Sequence, residues 1–300
     1  MTKKILILFF YTLLLNACID VDVQPTDEVA AEQAFASESS VRAVLNGVYD
    51  GLQSGAIVQD YILYADLAAD NLNAVGSKIE YREVSNNRVT TFNVDIEGIW
   101  NSHYDVVNRA NQLITGLQDN DNFNQSFINS QTGQARFIRA LAYFNLARMF
   151  GPVPYRDRPA AGISPEEVNQ PRVPVQQLYT NIINDLTTAE TELDGTGQGA
   201  DPTLVSEAAV KALLARVYLY NENYQLAADK AQEVIDLGYE LVDGDEYLTI
   251  YDENSDNNEI IFAIDYVNDE ARNTLASFTQ PAPQGRFEVA ATKDLFDAFA

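Results

Sequence analysis

The chain has 300 residues, 46 % of them hydrophobic, which is enough to bury a sizeable core as one or two domains. Only 19 Lys and Arg stand against 44 Asp and Glu, giving a formal net charge of −25. Such a surface repels phosphate backbones and anionic headgroups, and no basic stripe offsets it, so no nucleic acid is expected as a partner.

The first residues, MTKKILILFFYTLLLNAC, read as an export signal. Lys3 and Lys4 precede an apolar run over residues 5–15. That run is shorter than the roughly 20 residues a membrane-spanning helix needs, so residues 1–17 read as a signal peptide. Leu15-Asn16-Ala17-Cys18 resembles a bacterial lipobox, in which cleavage leaves Cys18 as a lipid-modified N-terminus. Cys18 is the only cysteine and cannot form an intrachain disulfide, so attachment is its one obvious use. Acyl chains contribute about 0.8 kcal/mol per buried CH₂ and anchor a protein without a transmembrane helix. Residues 18–35 are then the lipidated cysteine and an acidic tether.

Thr26 and Asp27 introduce a first short helix, and SVRAVLNGVYDGL, with Ser39 or Ser40 as N-cap, a stronger one. Val41, Leu45, Val48 and Leu52 keep helical spacing there. Residues 59–67 are apolar and aromatic. From residue 73 to 95 the pattern dissolves around Gly76, Asn86 and Asn87, which reads as a long loop with a short strand at 89–94. Loops of that length are usually functional or mobile. GIWNSHYDVVNRANQLITGL then places Trp100, Tyr104, Val107, Asn111 and Ile114 on one helical face. A polar run over residues 119–131 leads into QARFIRALAYFNLARMFGPVPY.

In that stretch Phe137, Leu141 and Phe144 fall at i, i+4 and i+7, and Ala140, Tyr143, Ala147 and Phe150 widen the apolar stripe. Gly151 is placed as a C-cap, and Pro152 and Pro154 forbid continuation. Six of the ten prolines fall within residues 152–174, so that segment is expected to lie extended over the helices. Residues 175–193 are helical again, and 195–202 form a turn. Residues 206–237 make a helical hairpin around Asn221-Glu222-Asn223. Its Leu214, Ala215, Tyr218, Tyr224, Ala227 and Ala231 sit at tetratricopeptide spacing, with the tyrosines expected to fill the groove beside the paired helices. The helices at 134–150 and 175–193 suit a second, degenerate pair. An acidic loop over residues 252–259 and a strand at 260–264 follow. The helical pattern at 293–300 stops without a cap or polar tail, as expected of a shortened chain.

The lipoprotein start, the acidic tether, SVRAVLNGVYDGL, the Trp100 helix, ARFIRALAYFNLARMFGPVPY and the hairpin together resemble the SusD/RagB family of outer-membrane lipoproteins. The stretch ending Phe-Gly-Pro-Val-Pro is the most specific part. The resemblance implies a mostly α fold of tetratricopeptide-like helical repeats with long irregular loops and a few short strands. It assigns residues 36–250 to an N-terminal helical repeat region and 251–300 to the incomplete start of a C-terminal region. It further implies a cell-surface glycan- or nutrient-binding lipoprotein with no catalytic activity, delivering oligosaccharides to a SusC-like TonB-dependent transporter. Asp20 and Asp22 resemble the acidic signal that sends such lipoproteins to the outer face.

The residues offer little for catalysis. His103 is the only histidine, lies within a helix and has no nucleophile elbow to serve. No zinc-ligand spacing and no Gly-rich phosphate loop appears, so neither metal nor cofactor is expected. Residues 252–259 lack the EF-hand glycine, and position twelve would be Ala263. Two carboxylates suffice for glycoside hydrolysis, so a lipid-anchored glycoside hydrolase is an alternative, as is a repeat scaffold that binds only protein. Sugar binding needs flat aromatic faces beside amide, carboxylate and guanidinium groups on an accessible loop. Asp70, Asn71, Tyr81, Arg82 and Phe92 meet that requirement, with Tyr266, Phe278 and Arg286 as secondary candidates. The register of Trp100 assigns it to the core.

Overall fold

The computed structural model describes residues 31–299, apart from residues 163, 200, 245–246, 248–249, 251–257 and 267–272. The signal peptide, Cys18, most of the tether and most of the acidic loop lie outside the described residues. Helices dominate, as expected. After α1 (Ala31–Ala34), α2 spans Glu38–Leu52. Its N-cap is Ser37, ahead of the expected Ser39 or Ser40. Ser40 N–H donates to Ser37 Oγ at 3.2 Å and Ser37 N–H donates to Ser40 Oγ at 3.1 Å, so two otherwise orphaned amides satisfy each other's side chains.

The centre of the molecule is α6 (Gln125–Phe150), reached through α5 (Val94–Leu117). It starts well before residue 134, because Asn124 accepts a hydrogen bond from Phe127 N–H at 2.9 Å and caps it. Most of the expected stripe is buried, with Leu141 and Phe150 half-buried, but so are Ala135, Ile138, Ala142 and Leu146 on the other side. α6 is thus enclosed rather than amphipathic: α5 packs on one flank and α8 (Val175–Glu192) on the other. Gly151 ends it with φ at 68°, a conformation open to glycine at little cost. The 152–174 segment is mostly irregular, holding only β2 (Val153–Pro154), a single turn α7 (Pro165–Val168) and β3 (Arg172–Val173).

That segment is tied down by polar groups from the core. Tyr104 Oη donates to Pro154 O at 2.6 Å, and Tyr143 Oη accepts from Arg156 N–H at 2.6 Å. Beneath them Arg139 of α6 grips Asp185 of α8 with two bonds of 2.6 and 2.8 Å, and gives a third to Asn111 Oδ1 at 2.6 Å. Asn111 in turn donates to the carbonyls of Arg156 and Arg158. One buried charge pair therefore fixes the register of α5, α6, α8 and the proline segment together.

α9 (Glu207–Tyr220) and α10 (Tyr224–Asp236) form the hairpin, with Glu222 at φ 61° in the turn. Leu214, Tyr218 and Ala227 are buried as the repeat spacing predicts, and Ala215 is half-buried. Tyr224 is 64 % exposed and Ala231 is exposed, so neither fills a groove. Among the described helices α10 packs chiefly on α9, and Lys230 reaches Glu190 of α8 at 2.7 Å.

A second, smaller core lies beside the repeat. The apolar, aromatic stretch at 59–67 is the end of a π-turn (Ala56–Asp60) running into α3 (Tyr61–Ala68). Within the expected loop, Leu72–Ala74 forms β1 and Ile79–Ser85 forms α4, while the strand expected at 89–94 is absent. Asn93 instead takes up an N-cap role, accepting from Ile96 N–H at 3.2 Å and starting α5. Leu63, Tyr64, Leu67, Tyr81, Val84 and Ile99 pack here against Phe278 of α11 (Leu275–Thr279) and Val289 of β4 (Val289–Ala291). β1 and β4 pair antiparallel, with Asn73 opposite Ala290, and α12 (Lys293–Ala298) follows. The strand expected at 260–264 is also absent. Its Ile261, Phe262 and Ile264 pack on the repeat core, and Ala263 N–H donates to Pro202 O, but no ladder forms.

Candidate functional site

A cleft of about 480 Å³ opens where the two cores meet. α3 supplies Tyr61 and Tyr64 with Ala65 and Ala68, whose small side chains leave the space open. Val84, Val89 and Ile96 form one end. Arg148 and Met149 of α6, Tyr179 of α8 and Tyr220 of α9 form the other. Phe144, wholly buried one turn before Arg148, holds this second wall. It meets Tyr220 edge-on at 5.3 Å and Tyr179 at 6.2 Å between centroids.

The tyrosine hydroxyls are anchored. Tyr61 Oη donates to Asn145 Oδ1 at 3.0 Å, and Tyr64 Oη donates to Asn93 Oδ1 at 2.9 Å. Burial pushes the pKa of the Tyr61 hydroxyl up, against the pull of the Arg148 and Arg216 charges. Under α3, Lys78 bridges Asp60 and Asp95 at 3.1 and 2.8 Å, and Tyr81 Oη donates to the same Asp60 oxygen at 2.8 Å. Burial raises the Asp95 carboxyl above its usual range, with Lys78 opposing it. This carboxylate pair is consumed by its cation and supports the cleft floor rather than facing into it.

Arg148 is half-buried. Its guanidinium lies 5.1 Å from the Phe144 and Tyr220 ring centres and 6.0 Å from that of Tyr61. The cleft thus presents flat aromatic surface with a guanidinium and tyrosine hydroxyls at its edges, a combination suited to the C–H faces and hydroxyls of a sugar ring.

The residues expected from the sequence do not share one surface. Asp70 and Asn71 are exposed on a shoulder beside the β1–β4 pair, where Asp70 borders a polar hollow with Asn73, Asn87 and Lys293. Arg82 is exposed but turned back to Gly76 O at 2.5 Å, clamping its own loop. Phe92 is 89 % exposed, three residues beyond Val89 of the cleft. Tyr81 is fully buried and so is not the solvent-facing platform expected. Among the secondary candidates Phe278 is buried under Arg286, and Tyr266 donates to Gln53 O. Trp100 is packed between Tyr104 and Phe150, as its register predicts. The sequence reading missed Tyr61, Tyr64, Arg148, Tyr179 and Tyr220. The one local signal was Arg148, a charge within an apolar helical stretch.

Known proteins share this fold. The model of the SusD-like family, described as starch-binding and associating with the outer membrane, matches residues 21–219. A SusD-like protein of Formosa agariphila is 30 % identical over 277 residues, covering 88 % of this chain and 53 % of the relative. A SusD superfamily protein of Bacteroides thetaiotaomicron superposes with a TM-score of 0.76 at 23 % identity, over 88 % of this chain and 61 % of that one. A laminarin-binding SusD-like protein superposes with a TM-score of 0.62 at 28 % identity, over 72 % and 49 % of the two chains. The chain spans about half the length of the curated relatives it matches. With its helical repeat and the family match across most of that repeat, the chain belongs to the SusD-like family.

Proposed function

We propose that the protein is a surface-exposed, lipid-anchored glycan-binding protein that captures oligosaccharides and passes them to a SusC-like TonB-dependent transporter in the outer membrane, without catalysing their hydrolysis. The observation that carries this reading is the cleft itself: tyrosine faces and a guanidinium gathered from four helices in a chain of SusD-like fold. Asp70, Asn71, Arg82 and Phe92 are proposed as an outer shoulder for a longer chain. Cys18 is the proposed anchor, following a signal peptide over residues 1–17. The 251–300 region is proposed to begin the second half of the fold.

Affinity electrophoresis against a panel of polysaccharides tests the binding. Retardation by at least one glycan is expected, and Tyr220→Ala, at a half-exposed position, weakens it about tenfold. Absence of retardation by every glycan, with the transporter still co-purifying, would favour a protein-only scaffold. Reducing ends accumulating during incubation would establish a hydrolase. The anchor is tested by Cys18→Ala, which is expected to leave the protein unattached to membranes.

A further inference from the structure

We propose that the cleft selects glycans bearing an oxyanion, a uronate carboxylate or a sulfate ester, with Arg148 as the group that receives it. This rests on the cleft being the glycan site. The argument starts from pairing. In a chain with 44 carboxylate side chains and 19 Lys and Arg, cations are readily neutralised. Seven described arginines, from Arg42 to Arg286, make ion pairs, and Arg82 and Arg172 are spent on backbone carbonyls. Arg148 is the half-buried arginine that makes neither kind of contact among the described residues. Its N–H groups have no protein acceptor among the described residues and stay open to solvent, so a bound anion can take the place of water there.

The surroundings agree in charge. Four other surface hollows each carry an aspartate: Asp50, Asp119, Asp265 and Asp70 mark them in turn. The lining of this cleft contains no carboxylate at all. It is an uncharged window with one cation on a strongly acidic molecule. Arg216, exposed on α9 one turn before Tyr220, adds a second positive charge. Both guanidiniums act on the Tyr61 hydroxyl in the same direction, so their fields overlap in the cleft. The three rings around Arg148 engage the guanidinium through its π-system, while its N–H groups remain free to form the parallel bonds that suit a carboxylate or sulfate.

Calorimetric titration of the full chain with three oligosaccharides tests this: oligogalacturonate, κ-carrageenan oligosaccharide and neutral laminarin oligosaccharide. At least one acidic ligand is expected to bind about tenfold or more tighter than the neutral one, with the preference shrinking as salt rises. Which acidic ligand binds separates carboxylate from sulfate. Arg148→Gln is expected to abolish the preference and Arg148→Lys to restore part of it. Arg216→Gln, on the exposed face of α9, is expected to lower acidic binding two- to threefold even if the Arg148 variants do not fold. Equal or tighter binding of the neutral glycan, or an acidic preference untouched by the substitutions, overturns the inference while leaving glycan binding intact. Binding of none of the three classes, together with no retardation by any polysaccharide, overturns both.

Discussion

The Arg139–Asp185 pair offers the sharpest test of how the repeat is held. Both side chains are nearly sealed, 4 % and 3 % exposed, and their two bonds are short. Replacing Asp185 by alanine leaves the guanidinium with Asn111 Oδ1 and a 3.3 Å bond to Asp157 O, and no carboxylate of its own. Removing one partner of such a pair costs about 3–5 kcal/mol, a large part of the 5–15 kcal/mol typical of a domain. The loss comes from stranding a charge rather than from losing an attraction. The double variant Arg139→Met/Asp185→Leu, which strands no charge, is therefore expected to cost much less than the sum of the single changes. Urea unfolding followed by the fluorescence of the sole tryptophan, Trp100, measures all three at constant m-value. A cost below about 1 kcal/mol for Asp185→Ala, or additive single changes, would refute the assignment of this pair as the central register device.

Acid should weaken the fold partly through His103, whose ring is buried against Tyr61 and donates from Nδ1 to Ile99 O at 2.7 Å. Burial lowers its pKa from 6.5 to about 4, so the unfolded chain takes up the proton first; the contribution is complete above pH 6.5 and is lost as the pH falls toward 4. The shift corresponds to about 3 kcal/mol, and in His103→Leu the stability difference between pH 7 and pH 4.5 is expected to shrink by roughly that amount in urea titrations. Tyr81→Phe removes the hydroxyl bonded to Asp60 and should cost about 1–2 kcal/mol of stability in thermal melts while leaving glycan affinity unchanged. Phe92→Ala should do the reverse at its 89 % exposed position, leaving the melt within about 0.5 kcal/mol. Gly116→Ala places a Cβ about 2.1 Å from the Phe35 ring, so it is expected to cost about 1–3 kcal/mol and to speed proteolysis before α2.

The parts of the fold legible in the sequence were those whose information is local. Phe137, Phe144 and Ala140 announce α6 by their spacing, and Gly151 with Pro152 and Pro154 announces its end. The hairpin of α9 and α10 is equally plain, since Leu214, Tyr218 and Ala227 keep repeat spacing within a few turns. α4 was not legible, because Tyr81 and Val84 span a single turn and are made a core by Phe278 and Val289. The strand expected at 260–264 failed for the converse reason: apolar residues alone do not supply a neighbouring strand. The cleft was the least legible feature. Its tyrosines come from positions 61, 64, 179 and 220, so no window of sequence contains the site. Each aromatic there also has a sound packing explanation, and only the joint arrangement around an unpaired arginine separates binding from burial.

The smaller core carries a kinetic consequence. Gly76 lies so close to Glu288 that a Cβ would come within 2.6 Å of its Cα, and Lys78 N–H donates to Glu288 Oε2 across 210 residues. Contacts of such separation must repay a large loop-closure entropy before they contribute. The repeat helices can condense on neighbours made shortly before them, whereas the wall formed by α3 and α4 waits for residues 278–291 to arrive. During synthesis the pocket would thus mature after the repeat helices, and until then Tyr64 and Tyr81 would remain accessible to chaperones.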